Sequence, residues 1–224
     1  MKVKNIFILA AMSLTLASCS DLFEPAEENN RGLDEIYNEP TYAQGLLGYG
    51  YAMLPYNTKS VTDIATDDAV SNDLTNSFLK MATGSWTANS DPMSKWTNGR
   101  ASIQYLNIFL QEVDKVNWAK DENARKMYCD SRKGEAYALR ALNLYYLLMN
   151  HGGWTADGKL LGVPNLTEPE TSTDDFNKPR NTFQECLDQI YSDLDEAAKL
   201  LPLDYNDLTN DNDVPAKYKE IGVK

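Results

Sequence analysis

The stretch GEAYALRALNLYYLLMNHGG, residues 134–153, decides the fold of this chain. Large apolar side chains recur there every three or four residues, the spacing that places them on one side of an α-helix. Extended upstream, this stripe comprises Met127, Ala138, Leu142, Tyr145 and Met149, with Leu139, Tyr146 and Leu147 beside it. Gly152 and Gly153 end the pattern, because glycine readily closes a helix. The stretch predicts a helix over about 122–150 that packs through the stripe, with Gly134 marking either a tight contact or a break.

A second helix is predicted downstream, where Thr182 and Glu185 form a capping box. In this motif each of the two side chains satisfies a free backbone amide of the first helical turn. Apolar residues then alternate in threes and fours, at Phe183, Leu187, Ile190, Leu194, Ala197 or Ala198, and Leu201. Pro202 ends the pattern, since proline cannot continue a helix.

Two more helices are predicted upstream. One covers about residues 98–116, with an apolar face formed by Ile103, Leu106, Leu110 and Val113. The other covers about 40–53 and begins at Pro40, a residue that the first helical turn tolerates. Gly45 and Gly48 weaken this helix in isolation, which predicts close packing of both glycines against a neighbour.

The intervening segments are rich in Asp, Asn, Ser and Thr, which favour turns. Residues 57–98 are predicted to be mostly irregular, with a short helix over about 74–81, and a long loop follows Trp154. Paired helices of this length are typical of a tetratricopeptide-like solenoid. The sequence therefore predicts a mainly α fold of paired helices with long irregular loops.

The N-terminus indicates export and a lipid anchor. Residues 1–18 combine a short basic head with an apolar run too short to span a bilayer, which is the layout of a signal peptide. Leu16, Ala17 and Ser18 precede Cys19, in the pattern of a lipobox. The Cys19 thiol would then carry diacylglycerol and acyl chains such as palmitate, which hold a domain durably at a membrane. The alternative is an unrelated cysteine beside an ordinary signal.

Composition narrows the function further. The formal net charge is −12, and loss of Lys2 and Lys4 with the signal makes the chain more acidic. Such a surface repels nucleic acid and anionic lipid. Cys129 and Cys186 both fall in helical patterns, so two buried free thiols are favoured over a disulfide.

Several motifs together resemble those of one family, the SusD/RagB-type nutrient-binding lipoproteins of bacterial outer membranes, in their N-terminal half. They are residues 134–153, GVP at 162–164, NLTEP at 165–169, TFQECLDQIYSDLDEAAKLLP at 182–202, and SIQYLNIFLQEVD at 102–114, with Asn107 at the family's usual asparagine. The insertion WTADGKLL, residues 154–161, enlarges the loop before GVP. The expected organisation is a signal peptide (1–18), an acidic tether (19–38), a SusD-like helical domain (39–204) and a polar tail (205–224) that begins a missing C-terminal region.

The resemblance implies a mostly helical, SusD-like α/α fold. It also implies a lipoprotein that binds an oligosaccharide or another nutrient and delivers it to a SusC-like TonB-dependent transporter. Asp21 and Glu24 resemble the acidic stretch that directs such lipoproteins to the exterior of the outer membrane. The alternative is a structural or protein-interaction lipoprotein with no ligand of its own.

Sugar binding uses flat aromatic faces together with amide, carboxylate and guanidinium groups. One polar, loop-like stretch offers all of these: Trp86, Asn89, Asp91, Trp96, Asn98 and Arg100. Starch-binding members of the family keep tryptophans, an asparagine and an arginine in this region. Either tryptophan could instead be a buried anchor of the loop. Trp118 and Trp154 are weaker candidates, and Trp154 could face a ligand or the transporter.

The remaining polar residues receive structural interpretations. Arg140 is expected to join two helices through an ion pair or hydrogen bond, with Glu135 as its partner. His151, the single histidine, is expected to favour the dipole at a helix end. Asp67, Asp68 and Asp73 lack the spacing of a calcium loop, so a solvated loop is favoured. No pair of carboxylates stands out in an apolar setting, and neither catalysis, a metal nor a cofactor is expected.

Overall fold

A computed structural model describes residues 37–55 and 62–201. Its helices are α1 (Pro40–Ala52), α2 (Leu79–Ala82), α3 (Trp96–Glu112), α4 (Glu122–His151) and α5 (Phe183–Leu200), with 3-10 turns at Thr62–Ala65 and Val113–Lys115 and strands β1 (Gly153–Trp154) and β2 (Leu160–Leu161). The four long helices agree with the predicted ones to within about two residues, except that α3 ends at Glu112, four residues before the predicted end, and is followed by the 3-10 turn Val113–Lys115. The mainly α fold is confirmed, whereas the lipobox, residues 19–36 of the tether and the tail lie outside the described residues.

The longest helix, α4, runs without a break through Gly134. Asp121 caps it by accepting the Ala124 N–H at 2.8 Å. A Cβ built on Gly134 would lie 2.7 Å from Cγ of Leu201, so another helix end approaches closely there. Of the two interpretations of this glycine, the tight contact is confirmed.

The buried face of α4 differs from the predicted one. Leu142, Tyr145 and Met149 of the predicted stripe are exposed, whereas the neighbouring Leu139, Leu144, Leu147 and Leu148 are buried. Because apolar residues surround most of this helix, its neighbours decide which face is covered. At Leu147 that neighbour is Gly99 of α3. Its lack of a side chain leaves room for Leu147, which comes within 2.9 Å of a Cβ built on the glycine.

Close packing of Gly45 and Gly48 is a wrong prediction, since a Cβ on either would meet nothing within 4 Å. The glycine of α1 that packs is Gly50, where a Cβ would lie 2.8 Å from Leu106 of α3. Gly45 and Gly48 lie on the exposed side of α1, because α1 turns its other side to α3. One apolar cluster, around Leu106, Phe109 and Leu139, joins α1, α3 and α4. A second, around Leu144, Leu148 and Ile190, joins α4 to α5.

The irregular segments are held by local hydrogen bonds. The short helix predicted over 74–81 shrinks to Leu79–Ala82, because Asp73 and Asn76 accept the backbone N–H groups of Thr75 and Phe78 in turns that compete with a helix. The enlarged loop is a hairpin in which Trp154 pairs with Leu160 in antiparallel register.

The capping box and the free thiols are also confirmed. Thr182 and Glu185 each bond the other's backbone at the start of α5. Cys129 and Cys186 are free and buried. Burial, followed by the nearby Asp114 carboxylate, raises the pKa of Cys129 to about 12. Burial also raises the pKa of Cys186. Both thiols are therefore poor nucleophiles at neutral pH.

Candidate functional site

The stretch expected to be loop-like divides into a loop and a helix start. Trp96, Asn98 and Arg100 lie in the first two turns of α3, so a loop setting is wrong for these three. Asp91 accepts the Met93 N–H at 2.8 Å, and the Ser94 hydroxyl accepts the Trp96 N–H at 3.3 Å. After these two turns α3 begins at Trp96, two residues before the start at about 98 that the apolar pattern predicts.

Trp96 presents part of its ring to solvent, with 40% of the residue exposed. The His151 ring meets its edge at 5.3 Å between centroids, and the Arg100 guanidinium carbon lies 5.6 Å from its centroid. Trp96 is thus neither a buried anchor nor a freely moving side chain. A tryptophan held in this way at a surface is suited to stack on an apolar sugar face.

The Asn89 and Asp91 side chains line a polar cleft of about 220 Å³. Asn98 lines a separate cleft of about 150 Å³ between α1, α3 and α4. Ser94 lines both clefts, two residues before Trp96. We call Asn89, Asp91, Ser94, Trp96 and Asn98 the α3 N-terminal surface.

The other two predicted residues line neither cleft, although Arg100 lies beside the Trp96 ring. Trp86 is half exposed. Arg100 turns away and donates to Glu170 at 2.9 Å, with both side chains largely buried. Arg100 is therefore a positioning residue rather than a free ligand for a sugar.

Glu170 belongs to a strap, residues 165–170, that crosses α3. Gln104 both donates to the Glu170 carbonyl, at 2.7 Å, and accepts its N–H, at 2.8 Å. Asn107 donates to two further strap carbonyls, those of Leu166 and Glu168. Arg100, Gln104 and Asn107 share one helical face by their spacing. The sequence does not predict these hydrogen bonds between α3 and the strap, because most of the strap atoms that form them belong to the backbone.

The buried centre beside the strap is Arg140 of α4. Its Nη2 and Nε donate to Asp193 of α5 at 2.6 and 2.8 Å, and its Nη1 donates to Asn107 at 2.9 Å and to the Thr167 carbonyl at 3.2 Å. The expected helix-joining role is confirmed, but Glu135 as its partner is wrong. Five residues along a helix place Glu135 and Arg140 on different sides, and Glu135 pairs with Arg132 instead.

The two weaker tryptophan candidates differ. Trp118 is an anchor, since its indole N–H donates to the Val113 carbonyl at 3.0 Å and its ring meets Phe109 edge-on. Trp154 is 73% exposed in the hairpin, three residues beyond His151. The exposure of Trp154 leaves it available to a ligand or a protein partner.

In residues 37–55 and 62–201, no three His, Cys, Asp or Glu side chains come together as a metal site needs. Asp73 instead bonds the side chain and backbone of Thr75, which lowers its pKa. Within the same ranges, no helix has the length and apolarity needed to cross a bilayer.

Comparison with known proteins identifies the family of this chain. Residues 32–216 match the family SusD-like_3, described as "Starch-binding associating with outer membrane". The chain belongs to this family. A SusD-like protein, P38 of Formosa agariphila, is 35% identical over 113 residues, which are 49% of this chain and 21% of that protein. The present SusD-like chain therefore spans about a fifth of the length of that curated relative.

Two solved structures share the fold. A SusD-like protein of Bacteroides fragilis aligns with a TM-score of 0.60 at 20% identity, over 78% of this chain and 32% of that one. A protein of Bacteroides vulgatus, named as a candidate sugar-binding protein, aligns with a TM-score of 0.58 at 28% identity, over 76% and 39% of the two chains. The SusD-like architecture of α1 to α5 is thus shared with longer proteins.

His151 ties α4 to the α3 N-terminal surface as a neutral acceptor. Its Nε2 accepts the Lys95 N–H at 3.2 Å. Burial, only partly opposed by the Asp91 charge, lowers the pKa of His151 below its usual 6.5. A lowered pKa does not fit the predicted role, in which the helix dipole favours the cationic form.

We expect the folded protein to lose stability as pH falls through the lowered pKa of His151. Because the unfolded chain binds this proton more readily, the contribution of the neutral ring is complete above about pH 6.5 and disappears below the folded-state value. NMR titration of the single imidazole should give a midpoint below 6.5. His151→Gln keeps an acceptor but cannot titrate, so it should flatten the pH dependence of stability between pH 7 and 5. A midpoint of 6.5 or higher would contradict this assignment.

Proposed function

We propose that this SusD-like chain is part of a lipoprotein, anchored through Cys19 at the exterior of the outer membrane, that binds an oligosaccharide at the α3 N-terminal surface and delivers it to a SusC-like TonB-dependent transporter. The observation that carries the proposal is Trp96, a partly exposed ring held by His151 and Arg100, two residues after Ser94, which lines both polar clefts. The family's description as starch-binding and the relatives' names support the same class of ligand.

The side chains around Trp96 suit capture rather than chemistry. Asn89, Asp91, Ser94 and Asn98 offer amide, carboxylate and hydroxyl groups that match sugar hydroxyls. Glycoside hydrolysis needs two carboxylates facing each other across the bond, whereas Asp91 is the only carboxylate of this defined surface. Binding without turnover therefore requires only enough affinity to concentrate a glycan above a transporter.

We expect Trp96→Ala to weaken glycan binding at least tenfold, about 1.4 kcal/mol, because it removes the stacking face. Trp86→Ala should have a smaller effect, since its ring lies apart from the clefts. Calorimetry and affinity electrophoresis of the non-acylated mature chain against a panel of neutral oligosaccharides measure both. Tyr191→Ala, which truncates a well exposed aromatic of α5, is the matched control and should bind normally.

The alternative, a lipoprotein that only contacts other proteins, makes the opposite prediction. Trp86→Ala and Trp96→Ala would then leave glycan uptake by cells unchanged, provided that both variants fold. Under our proposal uptake falls, and no reducing ends are released from the glycan. Cys19→Ala should move the protein out of the membrane fraction and abolish its copurification with a transporter.

A further inference from the structure

A third cleft, of about 410 Å³, lies where α3, α4 and α5 meet the strap. Its walls include Gln111 of α3, Tyr137 of α4, Ser192 of α5 and Glu168 of the strap. None of these residues belongs to the α3 N-terminal surface. The volume lies within the range of about 300–1,000 Å³ that small-molecule sites occupy.

The bottom of this cleft, which we call the strap cleft, is formed by groups that already have hydrogen-bond partners. Arg140 donates hydrogen bonds to Asp193, Asn107 and the Thr167 carbonyl, and the Arg140–Asp193 pair is buried. The two charges of this pair compensate each other, so the bottom of the cleft presents no uncompensated charge to a ligand. A ligand in the cleft must be recognised by the walls.

The walls carry polar groups that no described residue satisfies. No hydrogen bond from residues 37–55 or 62–201 reaches the Tyr137 hydroxyl, the Ser192 hydroxyl or the Glu168 carboxylate. Gln111 and Gln189 each donate one amide N–H, to Glu112 and Asp193 respectively, which leaves one N–H donor and one oxygen acceptor on each amide. Acceptors therefore outnumber donors around the cleft.

A ligand that fits this set brings several O–H donors and no negative charge. Glu168 and Glu196 both line the cleft; Lys199 pairs with Glu196 at 2.6 Å, so Glu168 is the carboxylate that would repel an anion most. The Tyr137 ring adds an aromatic face, held in place by the Arg140 guanidinium 5.3 Å from its centroid. We infer that the strap cleft is a second carbohydrate subsite, which takes one uncharged sugar unit and rejects acidic sugars. The inference deepens the proposed function and relies on it for the class of ligand.

NMR separates the two sites in one titration of the mature chain. The probes are maltose, cellobiose, xylobiose and chitobiose, each to about 50 mM, with digalacturonate as the anionic comparison. The four tryptophan indole signals include Trp96, while the side-chain amide signals of Gln111 and Gln189 report on the strap cleft. We expect at least one neutral disaccharide to shift the two glutamine signals, and digalacturonate to leave them in place.

Variants then assign the effect. Tyr137→Phe keeps the ring but removes its hydroxyl, and Gln189→Ala removes an acceptor, so each should weaken the glutamine-reported binding at least fivefold. Gln184→Ala is the matched control on α5, because its amide bonds Asp188 and lies outside the cleft. Trp96→Ala should leave this binding unchanged.

Each outcome decides between the two proposals. Shifts of the Trp96 indole alone would overturn the strap cleft as a subsite and leave the α3 N-terminal surface in place. Shifts of the glutamines alone would support the cleft and overturn the role of Trp96. Equal shifts with digalacturonate would overturn the selectivity for uncharged sugars, and glutamine signals that no neutral probe moves would overturn the cleft altogether.

Discussion

Replacing Arg140 with alanine is expected to lower the free energy of unfolding by about 3–5 kcal/mol. The variant leaves the Asp193 carboxylate, 2% exposed, without its bidentate partner. Asn107 and the Thr167 carbonyl lose a donor at the same time. Removal of one member of a buried ion pair costs more than the pair itself contributes, because the remaining charge stays out of water.

Chemical denaturation with a circular dichroism signal measures this loss. Arg132→Ala is the matched control on the same helix, since Arg132 pairs with Glu135 where both side chains are partly exposed, and it should cost only about 1 kcal/mol. The double variant Arg140→Met/Asp193→Leu should be more stable than Arg140→Ala alone, because it removes both charges. An Arg140→Ala protein within 1 kcal/mol of the wild type would show that the pair contributes little to the fold.

The sequence predicts helices better than it predicts their partners. Periodicity and the Thr182–Glu185 capping box place α1, α3, α4 and α5 because these signals are local. Arg140 is recognisable as structural, but its partner Asp193 lies 53 residues away in an acidic helix, where it resembles any solvated aspartate. Only the packing of α4 against α5 distinguishes it.

The buried face of α4 shows a second limit. Its apolar residues extend around most of the helix, so periodicity cannot choose between the stripe with Leu142 and the one with Leu147. The choice depends on small residues of the neighbouring helix, such as Gly99. The exposed Leu142, Tyr145 and Met149 are the consequence.

The candidate site is predicted in part for a similar reason. Composition identifies Trp96, Asn89 and Asp91 as sugar-binding residue types, and the structure brings Asn89 and Asp91 to one cleft. The same composition predicts that Arg100 binds the ligand, whereas in the structure its guanidinium donates to Glu170 of the strap. The strap itself is held through backbone carbonyls, which carry no sequence signal.

Gly162→Ala should destabilise the protein by about 3 kcal/mol, at the upper end of what overpacking costs. A Cβ at this position would lie 2.3 Å from Sγ of Cys186 and 3.1 Å from the Thr182 carbonyl oxygen. Neither neighbour can withdraw easily, because Cys186 is fully buried and Thr182 caps α5. The hairpin and the start of α5 would have to move apart.

The origin of this cost can be tested by a size exchange. Cys186→Ala in the Gly162→Ala background removes the closest atom and should restore about half of the lost stability, although Cys186→Ala alone destabilises. Gly45→Ala is the matched control in open space on α1, where the better helix former should stabilise by about 0.5–1 kcal/mol. If Gly162→Ala unfolds at the same denaturant concentration as the wild type, the close approach of β2 to α5 is not required. If instead the double variant is no more stable than Gly162→Ala, the Thr182 carbonyl rather than the thiol limits the space, and the backbone alone fixes the glycine.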